Sequence, residues 1–364
     1  MEREYYYSKD GTKVMVVAPT WELESIIERM DRFKYRYDYM LVLGNGFDLN
    51  LGLRTTYRDF VNSCIFKRMY VNRMKEKSSK GNQSPSLIDY LYGKKFVEKW
   101  YDIEEALLDY VSPKPDGSFV NNVKDDEKEY KLVCKALNDY LAGLFATEAI
   151  NSKQSDMMMD SAAGKILKII KSEKNILYSF NYTPLNLITR IATVIDESKV
   201  PIVRPHGEIT GESIVKAKVE ENSIILGIET NSNIAHGYSF LLKSNNPLYK
   251  STHIASDLLQ TRNVIIFGHS LNQMDFGYFR EYFEHLTHNS DRNRQLTIIT
   301  KDSRSRVTLL DNLRKSGISV RDVFAHTNVE IILTEDIAKK DSESEKMFNN
   351  LLEEIEKDYI NRYL

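Results

Sequence analysis

One stretch constrains this chain more than any other: Leu41-Val-Leu-Gly44-Asn45-Gly46-Phe47-Asp48-Leu49, an apolar run that breaks into two glycines and then into an acid. Tyr39 to Leu43 reads as a buried strand, and the glycines permit a turn with φ > 0 that brings backbone amides close to a ligand. This is the sequence form of a nucleotide-phosphate cradle, although a Gly-x-Gly turn lacking a third glycine and a following helix also describes a plain tight turn. Three later segments repeat the pattern of an apolar strand ending in polar residues: Asn175 to Thr183, Ile202 to Gly207 and Val264 to Leu271. A parallel sheet sets such strand ends along one edge, where open α/β folds bind ligands.

With 364 residues the chain suits one large domain with an insertion, or two modest ones. A formal net charge of −2 and the lack of a dense Lys/Arg run argue against a nucleic-acid partner. No stretch has the roughly 18 apolar residues of a membrane span, and Met1 to Tyr5 has no signal-peptide core, so a cytoplasmic protein is expected. Cys64 and Cys134 are the only cysteines, too few for a four-thiolate zinc site. Both are expected to be buried thiols, and no metal is expected.

The spacing of Leu23, Ile26, Ile27 and Met30 predicts a helix over Trp21–Phe33 within an N-terminal segment 1–38. From Tyr57 to about Ile170 the pattern is helical, with polar interruptions at Lys75–Ser86 and Ser112–Glu127. Trp100 and Glu104 share a helical face there, which equally describes a core tryptophan beside a solvated acid. Strands are expected near 175–180, 200–204, 223–228, 263–268 and 295–300, with helices over Asp275–His288, Ser303–Lys315 and Ser344–Arg362. Strand then helix, repeated, predicts an α/β domain over 39–340. Its parallel sheet is doubly wound and Rossmann-like, with a large helical insertion at 57–170 and a C-terminal helix in 341–364.

Taken together, the segments resemble the AbiH family of bacteriophage abortive infection. The resemblance rests on Gly44-Asn-Gly-Phe-Asp48-Leu, then Gly52-Leu-x-Thr-x-Tyr57-x-x-Phe60, Trp100 to Glu104, Ser-Phe-Asn181-Tyr-Thr183, His206-Gly207 and Gly268-His-Ser-Leu-x-x-x-Asp275. Arg54 stands where the family usually has proline. The family is in turn similar to sirtuins and sirtuin-like NAD hydrolases. Gly44, Gly46 and Gly52 match the sirtuin glycine loop, with Asp48 at its serine and Tyr57 at its arginine. Asn181 matches the asparagine of Thr-Gln-Asn-x-Asp, with Thr183 in place of the aspartate. His206 matches the catalytic histidine, and Gly268 with Ser270 matches the Gly-Thr-Ser turn. The sirtuin zinc cysteines are missing, which tells against protein deacetylation.

That resemblance implies a sirtuin-like fold and NAD as substrate or ligand, held by Gly44, Asn45, Gly46, Phe47, Gly268, His269, Ser270 and Asp275. Tyr57, Trp100 and Glu104 would line the pocket. Cleaving the nicotinamide–ribose bond passes through an oxocarbenium-like sugar, as glycoside hydrolysis does. Asn181 could orient a water or a ribose hydroxyl, His206 could act as base, and Asp48 could offset the developing positive charge. Each also has an ordinary reading: Asn181 and Asp48 as caps, His206 as a turn residue. The expected function is an abortive-infection effector that hydrolyses NAD, with two alternatives: a nucleotide-binding regulatory module without turnover, and a nuclease-type toxin. A phage trigger or companion defence protein and a homo-oligomer are the expected partners.

Overall fold

The computed structural model describes residues 3–7, 13–17, 35–79, 86–94, 103–112, 122–148, 152–170, 172–185, 199–209, 223–229, 233–291 and 293–363. An antiparallel hairpin pairs β1 (Arg3–Tyr7) with β2 (Lys13–Val17). The remaining strands are β3 (Tyr37–Leu43), β4 (Asn175–Ser179), β5 (Ile202–Val203), β6 (Thr261–Phe267), β7 (Gln295–Thr300) and β8 (Asn328–Leu333). They form one six-stranded sheet in the order β5-β4-β3-β6-β7-β8, with every pairing parallel. The protein is therefore α/β. Chain order runs outward from β3 on one side through β4 and β5, and on the other from β6 to β8. The reversal falls between β3 and β6.

The period of two along β3 explains why its sequence is apolar throughout. Tyr39, Leu41 and Leu43 enter one core cluster, and Met40 and Val42 enter another on the opposite face. The first cluster is built largely from the helices between β3 and β4: α1 (Asn45–Asn50), α2 (Tyr57–Asn62), α3 (Cys64–Ser79), α4 (Leu87–Lys94), α5 (Ile103–Val111), α6 (Val123–Glu148), α7 (Ser152–Asp160) and α8 (Ala162–Ile169). The opposite face is covered by α9 (Ile254–Leu259), α10 (Arg280–His288), α11 (Ser303–Lys315) and α12 (Val320–His326), which contribute Leu258, Phe283, Leu309 and Val323. After β8 come α13 (Thr334–Ile337) and α14 (Glu343–Tyr363). Phe348, Leu351 and Ile355 of α14 pack into the first cluster.

Several local expectations change. Among the described residues, the strand expected at 223–228 does not join the sheet and makes only the isolated bridges Gly207–Ile224 and Ile228–Leu242. Side chains take its backbone groups instead: Tyr182 Oη donates to the Ile225 carbonyl at 3.1 Å, Tyr130 Oη to the Leu226 carbonyl, and the Gly227 amide donates to Glu104 Oε1 at 3.2 Å. A sheet edge strand, β8, occurs where none was expected. Helix α3 continues through Lys75–Ser79, a stretch expected to be loop. Cys134 is buried but Cys64 is exposed, since it opens α3 on the outer side. The helix expected over Trp21–Phe33 and the side chain of Trp100 lie outside the described residues.

Candidate functional site

The ends of β3, β4 and β6 meet at the carboxyl edge, and glycine is what lets them meet. Gly44 has φ −118°, and Gly46 lies in the first turn of α1, so neither residue uses the left-handed conformation expected from the sequence. Their requirement is close approach. A Cβ on Gly44 would lie 2.4 Å from His269 Cα, and one on Gly46 would lie 2.7 Å from Gly268 Cα. The left-handed residue is Gly268, at φ +68°, where a Cβ would meet the Phe47 nitrogen at 2.2 Å. The two turns interlock through Gly44 N to Phe267 O at 3.0 Å and Gly46 N to Gly268 O at 2.9 Å, while Phe47 N donates to Gly44 O at 2.9 Å. These three amides are thus spent inside the protein. The Phe47 ring is fully buried, edge-on to Phe267 at 5.2 Å, and is a core residue.

Beside this turn lies the first polar network. Asn181, just past β4, donates both amide hydrogens: to Gly44 O at 2.9 Å and to Asp48 Oδ1 at 2.8 Å. Thr183 Oγ1 donates to Asp48 Oδ2. Asp48 is only 1% exposed. Burial outweighs these two donors and pushes its carboxyl up to about 7. The Asn181 oxygen Oδ1 is the atom of that side chain left to orient a ligand.

The second network gathers residues from four separate parts of the chain. Lys243, 2% exposed, sits 2.9 Å from Glu104 Oε2, 2.9 Å from Asp275 Oδ1 and 3.2 Å from His206 Nε2. Asp275 Oδ1 lies 3.4 Å from His206 Nε2, and Asp275 Oδ2 lies 3.6 Å from His269 Nε2. Burial opposes charge on Lys243, but Asp275 and Glu104 hold its ammonium well above the usual lysine range. Burial likewise opposes charge on Asp275, yet Lys243 and then His206 hold its carboxylate well below the usual range. Burial and the neighbouring ammonium push His206 below 6.5 despite Asp275. His269 Nδ1 accepts the Leu271 amide at 3.0 Å, which leaves its proton on Nε2, facing Asp275. Leu271 adopts φ +50°, a strained conformation for leucine, to make that contact.

Phe180 joins the two networks, because it immediately precedes Asn181 and its ring lies 5.3 Å from His206 and 4.8 Å from His269. Of the residues expected at a site, Asp48, Asn181, Gly44, Gly46, Gly268, His206, His269, Asp275 and Glu104 are brought together. Tyr57 is half-buried and hydrogen-bonds to Tyr182, whose hydroxyl reaches the segment that Glu104 also holds. Asn45 is exposed and accepts from Thr55 Oγ1 at 2.6 Å; Ser270 is exposed and its carbonyl accepts from Asn312 at 2.9 Å. Lys243 was not anticipated. Its only signal is a lysine directly after Phe240-Leu-Leu, which does not mark a site. The segment 223–225 buttresses the His206 turn: Ile225 N donates to His206 O at 2.8 Å, and a Cβ on Gly207, at φ +75°, would meet Ser223 O at 2.3 Å.

Among the described residues no helix is long and apolar enough to cross a membrane, and no group of three or more His, Cys, Asp or Glu is disposed to hold a metal ion. No curated protein and no solved structure matches the chain. The family model for bacteriophage abortive infection AbiH matches residues 40–298, a span that runs from β3 to β7 and includes both polar networks. The chain belongs to the AbiH family, with the role in abortive infection by bacteriophage that this membership implies.

Proposed function

We propose that this protein acts in abortive infection by cleaving NAD at the nicotinamide–ribose bond, on a Rossmann-like, doubly wound sheet related to that of sirtuins. The observation that carries the reading is the gathering of Asn181, His206, His269 and Asp275 at the carboxyl edge, the two imidazoles packed on Phe180 and facing Asp275, beside the reversal between β3 and β6. Open α/β sheets bind ligands at such a reversal. Nicotinamide leaves from a cation as a neutral ring, so no general acid is needed. The site must hold the ribose, offset positive charge and direct a water. Asp275 supplies a carboxylate that stays ionised, and His206 is in the neutral form that a base requires. Asn181 Oδ1 would orient the water or a ribose hydroxyl.

A second reading, nucleotide binding without turnover, has its own support. Asp48 and one amide hydrogen of Asn181 are spent on each other and the other hydrogen on Gly44 O, which leaves Asn181 Oδ1 to hold a ribose hydroxyl, a contact that needs no base. Purified protein incubated with NAD separates the two readings when nicotinamide and ADP-ribose are followed by chromatography. Turnover in the parent, lowered about 10²–10⁴-fold by His206→Ala and by Asn181→Ala, is the expected outcome. NAD that stays level in challenged cells while protection persists would leave the binding reading in its place.

A further inference from the structure

The cluster around Lys243 contains a donor and acceptor problem with one good solution. Lys243 carries three N–H donors and no acceptor, and its near neighbours include Glu104 Oε2, Asp275 Oδ1 and His206 Nε2, at 2.9, 2.9 and 3.2 Å. The two carboxylate oxygens accept two of its hydrogens. The third reaches Nε2 only if that nitrogen presents its lone pair. A proton on Nε2 would face the ammonium at 3.2 Å and would have to reach Asp275 Oδ1 at 3.4 Å, an oxygen that already accepts from Lys243. The arrangement with Nε2 as acceptor satisfies all three ammonium hydrogens.

We propose that Lys243 is a positioning residue of this site: its ammonium, anchored by Glu104 and Asp275, donates to His206 Nε2 and fixes the imidazole as the neutral Nδ1–H tautomer. His206 is thereby held differently from His269, whose Nδ1 accepts an amide and whose proton sits on Nε2. The two imidazoles flanking Phe180 present opposite tautomers to one edge of the sheet. His206 Nε2 can serve as the base of the proposed reaction only after Lys243 withdraws, whereas Nδ1–H is available at once as a hydrogen-bond donor. The charged and titratable groups facing His206 are Lys243, Asp275 and His269, while Phe180 and Tyr278 pack against it as rings. The direction of the His206 shift agrees, since burial first and then the ammonium disfavour a positive charge on the ring. The inference bears on how the proposed reaction proceeds, but the tautomer itself does not depend on turnover.

The test is nitrogen NMR on the full chain labelled with ¹⁵N-histidine, without nucleotide, the His206 signals being assigned by their loss in His206→Gln. The expected parent signal is a neutral ring protonated at Nδ1 and not at Nε2 at pH 7. In Lys243→Met, Asp275 loses its ammonium and His206 is left to pair with it as an imidazolium, so its proton affinity should rise at least about tenfold. Should that variant fail to fold, Glu104→Gln with Lys243→Met removes one carboxylate together with the ammonium and retains the Asp275–His206 pair; the same rise is expected. A parent ring protonated at Nε2, or a titration unchanged in whichever variant folds, overturns the proposal. Chromatography of NAD on the same samples reports separately on hydrolysis, so a parent that holds the expected tautomer without turnover overturns the hydrolytic reading alone.

Discussion

Asp48 and Asp275 are both carboxylates at the same sheet edge with little access to water, yet their proton affinities are driven in opposite directions. Asp48 is met by an amide and a hydroxyl, Asn181 and Thr183, and its carboxyl is pushed up to about 7. Asp275 is met by the Lys243 ammonium and two imidazoles, and its carboxyl is held well below the usual range. Burial acts on both in the same direction. The charge of the partner decides the result. One acid is therefore poised to exchange a proton near neutral pH, and the other is a fixed anion. Pairs of groups whose environments drive them apart in this way are a feature of catalytic sites.

The largest expected effect comes from removing the cation. Lys243→Ala leaves Glu104 and Asp275 buried without their ammonium, and breaking a buried pair from one side costs about 3–5 kcal/mol. Urea unfolding at pH 7 measures it. Lys243→Met in a Glu104→Gln background should recover part of the loss, because one stranded charge goes with the other. A loss under about 1 kcal/mol in Lys243→Ala would mean that the ammonium is not what separates Asp275 from Asp48.

Asp48→Asn tests the other half. Asparagine preserves the shape: its oxygen can accept from Asn181, and its amide can donate to a rotated Thr183 hydroxyl. In the parent, the folded state holds the Asp48 proton more tightly than the unfolded chain does, because the carboxyl moves from 3.8 up to about 7. That contribution is fully present below about pH 4 and is lost as pH rises through about 7. The neutral variant has no such loss. Its stability relative to the parent should climb between pH 4 and 7 by on the order of 4 kcal/mol, as about 1.4 kcal/mol per pH unit requires. Unfolding curves at several pH values that run parallel for the two proteins would show that Asp48 is an ordinary ionised acid.

The two environments are joined by the interlocked turns. Gly268→Ala would press a Cβ against the Phe47 nitrogen and strain a residue at φ +68°. A loss of about 2–4 kcal/mol is expected, read by thermal or urea unfolding. If the variant folds with normal stability, the turns can part, and the two networks need not move together.

How far the sequence reveals this arrangement depends on whether a signal is local. Leu41 to Leu43 announces a strand buried on both faces, and Asn181 and His206 are visible as polar residues closing apolar runs. The glycines at 44 and 46 read in the sequence as a left-handed turn open to a ligand, but what requires them is the close approach of the Gly268–His269 turn, which lies far away in the chain. Lys243 has no local signature, since its role exists only once Glu104, His206 and Asp275 surround it. The segment 223–228 carries strand composition, yet Tyr130, Tyr182 and Glu104 capture its backbone groups before a ladder can. Strand β8 follows the helical run Val320–His326 without a glycine or proline between them, so composition gives no boundary.

Glu104→Gln should have the smallest effect and the finest resolution. Glutamine keeps the side-chain length, and its oxygen can still accept the Gly227 amide that Glu104 Oε1 accepts at 3.2 Å. The charge facing Lys243 is what disappears. Asp275 still holds the ammonium at 2.9 Å, so the fold should be nearly as stable as the parent's, within about 1 kcal/mol. Without the Glu104 charge to draw it aside, Lys243 stays on His206 Nε2, which keeps the base of the proposed reaction occupied without touching the nucleotide edge at Asn181. Turnover of NAD should then fall about tenfold with little change in KM, the mark of an interaction that matters more in the transition state than in binding. If turnover is unchanged, Glu104 serves only to hold the segment at Gly227, and the Lys243–Asp275 pair alone sets the contrast with Asp48.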